Sequence, residues 1–84
     1  MTHAFHSDAA EKILTELTAR EQAAVETVRL ALEAQPGQGR PLPGTDNLVV
    51  EVLPEQTGGR GVSVVYRYDQ DLDAALVLWL IAGP

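Results

Sequence analysis

Eighty-four residues make one small domain at most, because a chain this short buries only a little over ~60% of its unfolded surface, and a two-domain enzyme is excluded. Twelve acidic against six basic side chains give a formal charge of −6, the wrong sign for holding a phosphate backbone or anionic lipid on a broad surface. With no cysteine in the chain, disulfides, thiolate catalysis and thiolate zinc sites drop out together, and a reducing, cytoplasmic setting is expected.

The opening stretch carries His3, His6 and Asp8 where a signal peptide needs a basic end and an apolar centre, so no export signal is expected. His3 to His6 offers a short strand, but four residues carry too little pattern to decide it. Ala9, Ala10, Ile13, Leu14 and Leu17 then recur at helical spacing behind Ser7, an N-cap type, with Asp8 and Glu11 at the positive helix end. This spacing predicts a helix from Asp8 to about Leu17. Thr18 followed by Glu21 is a capping-box pattern. Ala24, Val28, Ala31 and Leu32 mark one face of a second helix that Pro36 and Gly37 must end. The other positions hold Lys12, Glu16, Arg20, Glu26, Arg29 and Glu33, read as a solvated face.

From Pro36 to Asn47, three prolines and three glycines make a connector. Leu48, Val50 and Val52 alternate with Val49, Glu51 and Leu53, the period of a strand. Pro54 to Gly61 reads as a hairpin loop, and Val62, Val64, Tyr66 and Tyr68 alternate with Ser63, Val65 and Arg67 in a second strand. After the acidic turn Asp69 to Asp73, the run Ala74 to Ala82 is apolar on both sides, a third strand too short to span a bilayer. The sum is an α+β fold, with an N-terminal helical hairpin packed on a mainly antiparallel three- to four-stranded sheet, in a single domain over residues 1–84.

The order of these elements, with Phe5, Ser7 and Ala10 at the start, GRPLPG at Gly39 to Gly44, VVYRYD at Val64 to Asp69 and a last apolar strand ending in Gly83, resembles the RelE/ParE toxin superfamily over nearly the whole chain. The resemblance implies a bacterial type II toxin–antitoxin context, in which an antitoxin-like partner wraps the toxin. The ribonuclease branch of that superfamily resembles an acid–base machine built from cations. It has an Arg about three residues ahead of the strand tyrosine, lysines on the preceding strand and a base after the final strand. Here the matching positions are Ser63, Val49 with Glu51, and Gly83 with Pro84. Arg60, Arg67 and Tyr66 are the polar groups left to serve as catalytic residues of a metal-independent, ribosome-dependent mRNA endoribonuclease, a weak phosphate trap in an acidic chain. The gyrase-poisoning branch has the fold without that nuclease set.

Other constellations point away from chemistry. His3, His6 and Asp8 lack a fourth ligand, and the Asp69, Asp71, Asp73 series lacks the Gly and the closing carboxylate of a calcium loop, so no metal is expected. Gly58 to Gly61 lacks the Lys and Ser or Thr of a P-loop, and neither Ser7 nor Ser63 sits in a nucleophile elbow. No cofactor is expected. Protein binding is the best-supported reading: with the helices on one sheet face, Val49, Leu53, Val65 and an alternate set from Leu76 to Ile81, with Leu76 and Trp79 as candidates, go to the other. An antitoxin-like protein or a homodimer would cover them, nucleic acid is disfavoured, and a non-toxic adaptor module is the remaining alternative.

Overall fold

The computed structural model describes residues 2–83. In chain order the elements are β1 (His3–His6), α1 (Asp8–Leu14), α2 (Ala19–Ala34), β2 (Arg40–Pro41), β3 (Leu48–Val52), α3 (Pro54–Thr57), β4 (Val62–Asp69) and β5 (Ala74–Ala82). The strands form one sheet in the order β1-β5-β4-β3-β2. β1 runs parallel to β5, and every other neighbouring pair is antiparallel.

The α+β class stands, but its finer description is corrected. Among the described residues there are five strands rather than three or four, and three helices rather than a helical hairpin alone. β1 joins because the parallel register His3↔Ala74 to His6↔Val77 lets it pair along the last strand. β2 is two residues of the proline-rich connector, tolerated because a sheet margin leaves Pro41 no ladder bond to donate. The 54–61 loop contains one helical turn, begun by Pro54 at its first position and closed by Gly58 at φ 74°. Helix α1 ends three residues early, at Leu14, and Gln22 Nε2 ties that end to α2 by donating to the carbonyls of Leu14 (2.9 Å) and Leu17 (3.2 Å).

The caps act as the sequence implies. Thr18 and Glu21 complete a reciprocal capping box at 3.2 and 2.9 Å. Ser7 does more: its Oγ accepts from the Ala10 N–H at 3.1 Å and donates to the Leu78 carbonyl at 3.0 Å, while its own N–H donates to the Val77 carbonyl at 2.8 Å. Leu78 is the extra residue of a β-bulge, since Val65 pairs with Trp79 but Tyr66 pairs with Val77. One serine thus starts α1 and holds the bulge of β5.

Both long helices pack on the same sheet face. Ala10, Leu17, Val25 and Leu32 meet Ala4, Val52, Val62, Val64, Tyr66, Ala75, Val77 and Leu80 in one core cluster. The stripe of α2 is centred on Val25 and Leu32, seven residues apart, with Ala24 and Val28 at its partly buried flank. The outer margin of β1 is covered by α2: Glu33 accepts the Ala4 N–H at 3.3 Å and Arg29 donates to the Ala4 carbonyl at 3.0 Å, while Arg29 and Glu33 pair at 3.5 Å. Two side chains stand where a neighbouring strand's backbone would be.

Candidate functional site

The three candidate catalytic residues do not converge. Tyr66 points into the helix-covered core and is fully buried. Its hydroxyl donates to the Pro36 carbonyl at 2.6 Å and accepts from the Gly39 N–H at 3.0 Å, so both capacities hold the connector. A Cβ on Gly39 would lie 2.8 Å from that ring and its oxygen, which explains a glycine there. Burial raises the phenol above its ordinary range, against the bond from Gly39. Arg67, the next residue, faces the opposite side of the sheet, exposed, beside Leu76 in the register. Arg60 precedes β4, on the order of 20 Å along the extended chain from Tyr66. Its Nε donates to Glu21 Oε2 at 2.9 Å. Glu21 is buried, and its carboxyl is held below the ordinary value first by that bond from Arg60 and then by the Thr18 backbone.

The apolar candidates do share a surface. On the sheet face turned from the helices, pairing registers give three rows. Arg40, Val49, Val65 and Trp79 form one; Glu51, Ser63 and Ile81 the next; Arg67, Leu76 and Phe5 the third. Leu53 follows β3 on the same side. Val49 and Val65 are buried in the middle strands, whereas Phe5 (54%), Leu53 (53%), Leu76 (40%), Trp79 (52%) and Ile81 (57%) stay about half exposed. Leu76 and Trp79 are three apart, so strict alternation would part them; the bulge at Leu78 restores both to one face. Sequence reasoning took Phe5 as a core or interface aromatic without placing it on this face, and did not single out Arg40. The parallel register of β1 brings Phe5 beside Leu76, where its ring stacks on His3 at a centroid distance of 6.1 Å. Arg40 enters across from Val49 and pairs with Glu51.

Of the positions that the resemblance assigns to nuclease cations, Val49, Glu51 and Ser63 lie on this face, Gly83 follows the last strand and Pro84 lies outside the described residues. The two arginines of the face, Arg40 and Arg67, are balanced there by Glu51 and Asp69. The face thus combines half-exposed apolar side chains with two arginines and two carboxylates whose charges balance. Elsewhere, a groove of about 490 Å³ runs between α2, β3 and α3, lined by Ala24, Val28, Val50, Val52, Arg20 and Gln56 among others. The acidic turn is stapled internally: Asp69 accepts from the N–H groups of Asp71 and Leu72, and Asp73 accepts from Thr2 and Tyr68. Among the described residues no group of three or more His, Asp or Glu side chains is arranged to hold a metal ion. None of their helices is long and apolar enough to cross a membrane.

No family model matches the sequence, and no curated protein matches it either. The similarity is in three dimensions. A chain of the intact E. coli RelBE toxin–antitoxin complex superposes with a TM-score of 0.82 at 13% identity, covering 100% of this chain and 99% of that one. A chain of the RelBE2 toxin–antitoxin complex from Mycobacterium tuberculosis gives 0.82 at 20% identity, covering 98% of each. The isolated E. coli RelE toxin gives 0.77 at 12% identity, covering 100% of this chain and 86% of that one. This chain has the fold of the RelE toxins.

Proposed function

We propose that this chain is the RelE-like toxin component of a bacterial type II toxin–antitoxin pair, and that it acts through protein binding with its bare sheet face, not through RNA cleavage. The fold supports the first half of that reading. The second rests on one observation: where cations would be needed to hold a scissile phosphate, the face carries Val49, Glu51 and Ser63 beside exposed Trp79, Ile81 and Leu76. Burial of this surface supplies the driving force, at about 25 cal/mol per Å² of apolar area less the cost of ordering the partner. An antitoxin-like partner would bring an amphipathic segment with a cationic flank, suited to the acidic exterior.

The test is expression of the full chain alone and with the protein encoded beside it. The expected result is growth arrest from the chain alone, relief and co-purification with the neighbour, and loss of co-purification in Trp79→Arg. Normal growth with no associated neighbour overturns the toxin reading and leaves the adaptor alternative. Growth arrest accompanied by translation-dependent mRNA cuts that Arg67→Ala abolishes overturns the binding mechanism in favour of the endoribonuclease built on Arg60, Tyr66 and Arg67.

A further inference from the structure

We infer that, without another partner, the bare sheet face is covered by a second copy of the same chain, giving a weak two-fold dimer of face-to-face sheets. The inference shares its surface with the reading above but not its premise, since self-association requires neither toxicity nor an antitoxin.

Three observations favour a second copy. The first is charge. The molecule carries −6, so two copies repel over most approaches, yet on this face Arg40 and Arg67 balance Glu51 and Asp69. Like can meet like here without accumulating one sign.

The second is the layout of the rows. The aromatic and aliphatic groups are concentrated on β5 and β1, as Trp79, Ile81, Leu76 and Phe5, and the charged pair Arg40 and Glu51 sits at the far side on β2 and β3. A two-fold axis through the β5 region sets the apolar half of each copy on that of its mate, with the Arg40–Glu51 pair at the rim and Arg67 flanking Leu76 at the end of its row, a pattern compatible with a two-fold contact.

The third is area. Four large side chains at about half exposure amount to roughly 400 Å² of apolar surface, the size of the largest and often functional patch on a soluble chain. Two such faces with their margins bury on the order of 1,000 Å², the lower bound for a specific contact and the size expected of a weak dimer.

Trp79 is the sole tryptophan and lies in the contact, so it reports it directly. Sedimentation of the full chain across a concentration series is expected to show monomer passing to dimer, with Trp79 emission moving to shorter wavelength and acrylamide quenching falling together with the mass change. Ile81→Lys and Leu76→Lys should each weaken association at least ~10-fold while leaving the far-ultraviolet circular dichroism unchanged, since both residues are exposed. Leu30→Lys, an exposed apolar residue on α2, is expected to leave it unchanged. Added salt should not weaken the dimer, because it screens repulsion between acidic exteriors more than it screens a neutral face. A chain that stays monomeric at a few hundred micromolar overturns the inference. So does a dimer that survives both sheet-face substitutions or is lost with Leu30→Lys. A monomer that still captures the neighbouring gene's product would refute the dimer and leave the functional proposal standing; a dimer in cells that grow normally would do the reverse.

Discussion

Tyr66 and Trp79 stand on neighbouring strands and belong to opposite faces of the same sheet. On the helix side, Tyr66 is wholly buried and each capacity of its hydroxyl is used, by Pro36 and Gly39. On the other side, Trp79 keeps half its surface in water, next to Ile81 and one row from Leu76 and Phe5. The covered face is organised by satisfaction of polar groups around a packed core. The bare face sets Arg40, Glu51, Ser63 and Arg67 alongside Trp79, Ile81, Leu76 and Phe5, the last four about half exposed.

That contrast is sharpest in unfolding experiments. Leu32→Ala removes a fully buried side chain at the centre of the α2 stripe and should cost about 2–5 kcal/mol. Trp79→Ala, although a larger truncation, should change the stability of the monomer by less than about 1 kcal/mol in urea titrations under dissociating conditions. Equal losses would mean that the bare face is part of the core. Tyr66→Phe should follow Leu32→Ala in size, at about 1–3 kcal/mol, because it strands the Pro36 carbonyl and the Gly39 N–H together. Hydrogen exchange at Gly39 would rise in the same variant.

Ser7→Ala should come next, at about 1 kcal/mol for the lost cap. It also releases the Leu78 carbonyl, and nuclear magnetic resonance shifts confined to 76–80 and the start of α1 would separate that effect from general loosening. The smallest effect is pH-dependent. Both His6 ring nitrogens are buried without a hydrogen-bond partner. Burial, and then Arg29, hold the imidazole below its ordinary value of 6.5, against Glu26 and Glu11. The folded state therefore favours the neutral ring. Its contribution is complete above pH 6.5 and is lost as the pH falls through the lower folded value. Melting temperatures taken from pH 7 downward should decline less steeply in His6→Leu than in the parent; parallel curves would clear His6 of the role.

The sequence made the local signals legible and hid the long-range ones. Ser7 and the Thr18–Glu21 box could be read because a cap oxygen and the N–H it accepts from lie three residues apart. The two inner strands and the apolar last strand showed in period two and in continuous hydrophobicity. β2 did not, since Arg40–Pro41 inside a proline-rich connector has no period of its own and exists only through Leu48 and Val49. Nor did the bulge: nothing in a run of nine apolar residues marks Leu78 as the extra one, and that residue decides which of its neighbours face outward. Arg60 looked available for chemistry because its partner, Glu21, lies 39 residues away. Val49, Leu53 and Val65 could be placed on one face because parity within a strand is local, while Leu76 joins Trp79 there only through the bulge and Phe5 needed a parallel pairing that links the two ends of the chain.

The clamp that Arg29 and Glu33 place on Ala4 has a consequence for growth of the sheet. Edge-to-edge polymerisation consumes two open margins per molecule, one to give and one to receive, and a chain that has plugged one of them with its own helix cannot pass strand pairing onward in both directions. The first strand of this acidic protein is thereby a poor template for strand pairing, even though the sheet beside it displays a tryptophan and an isoleucine to water.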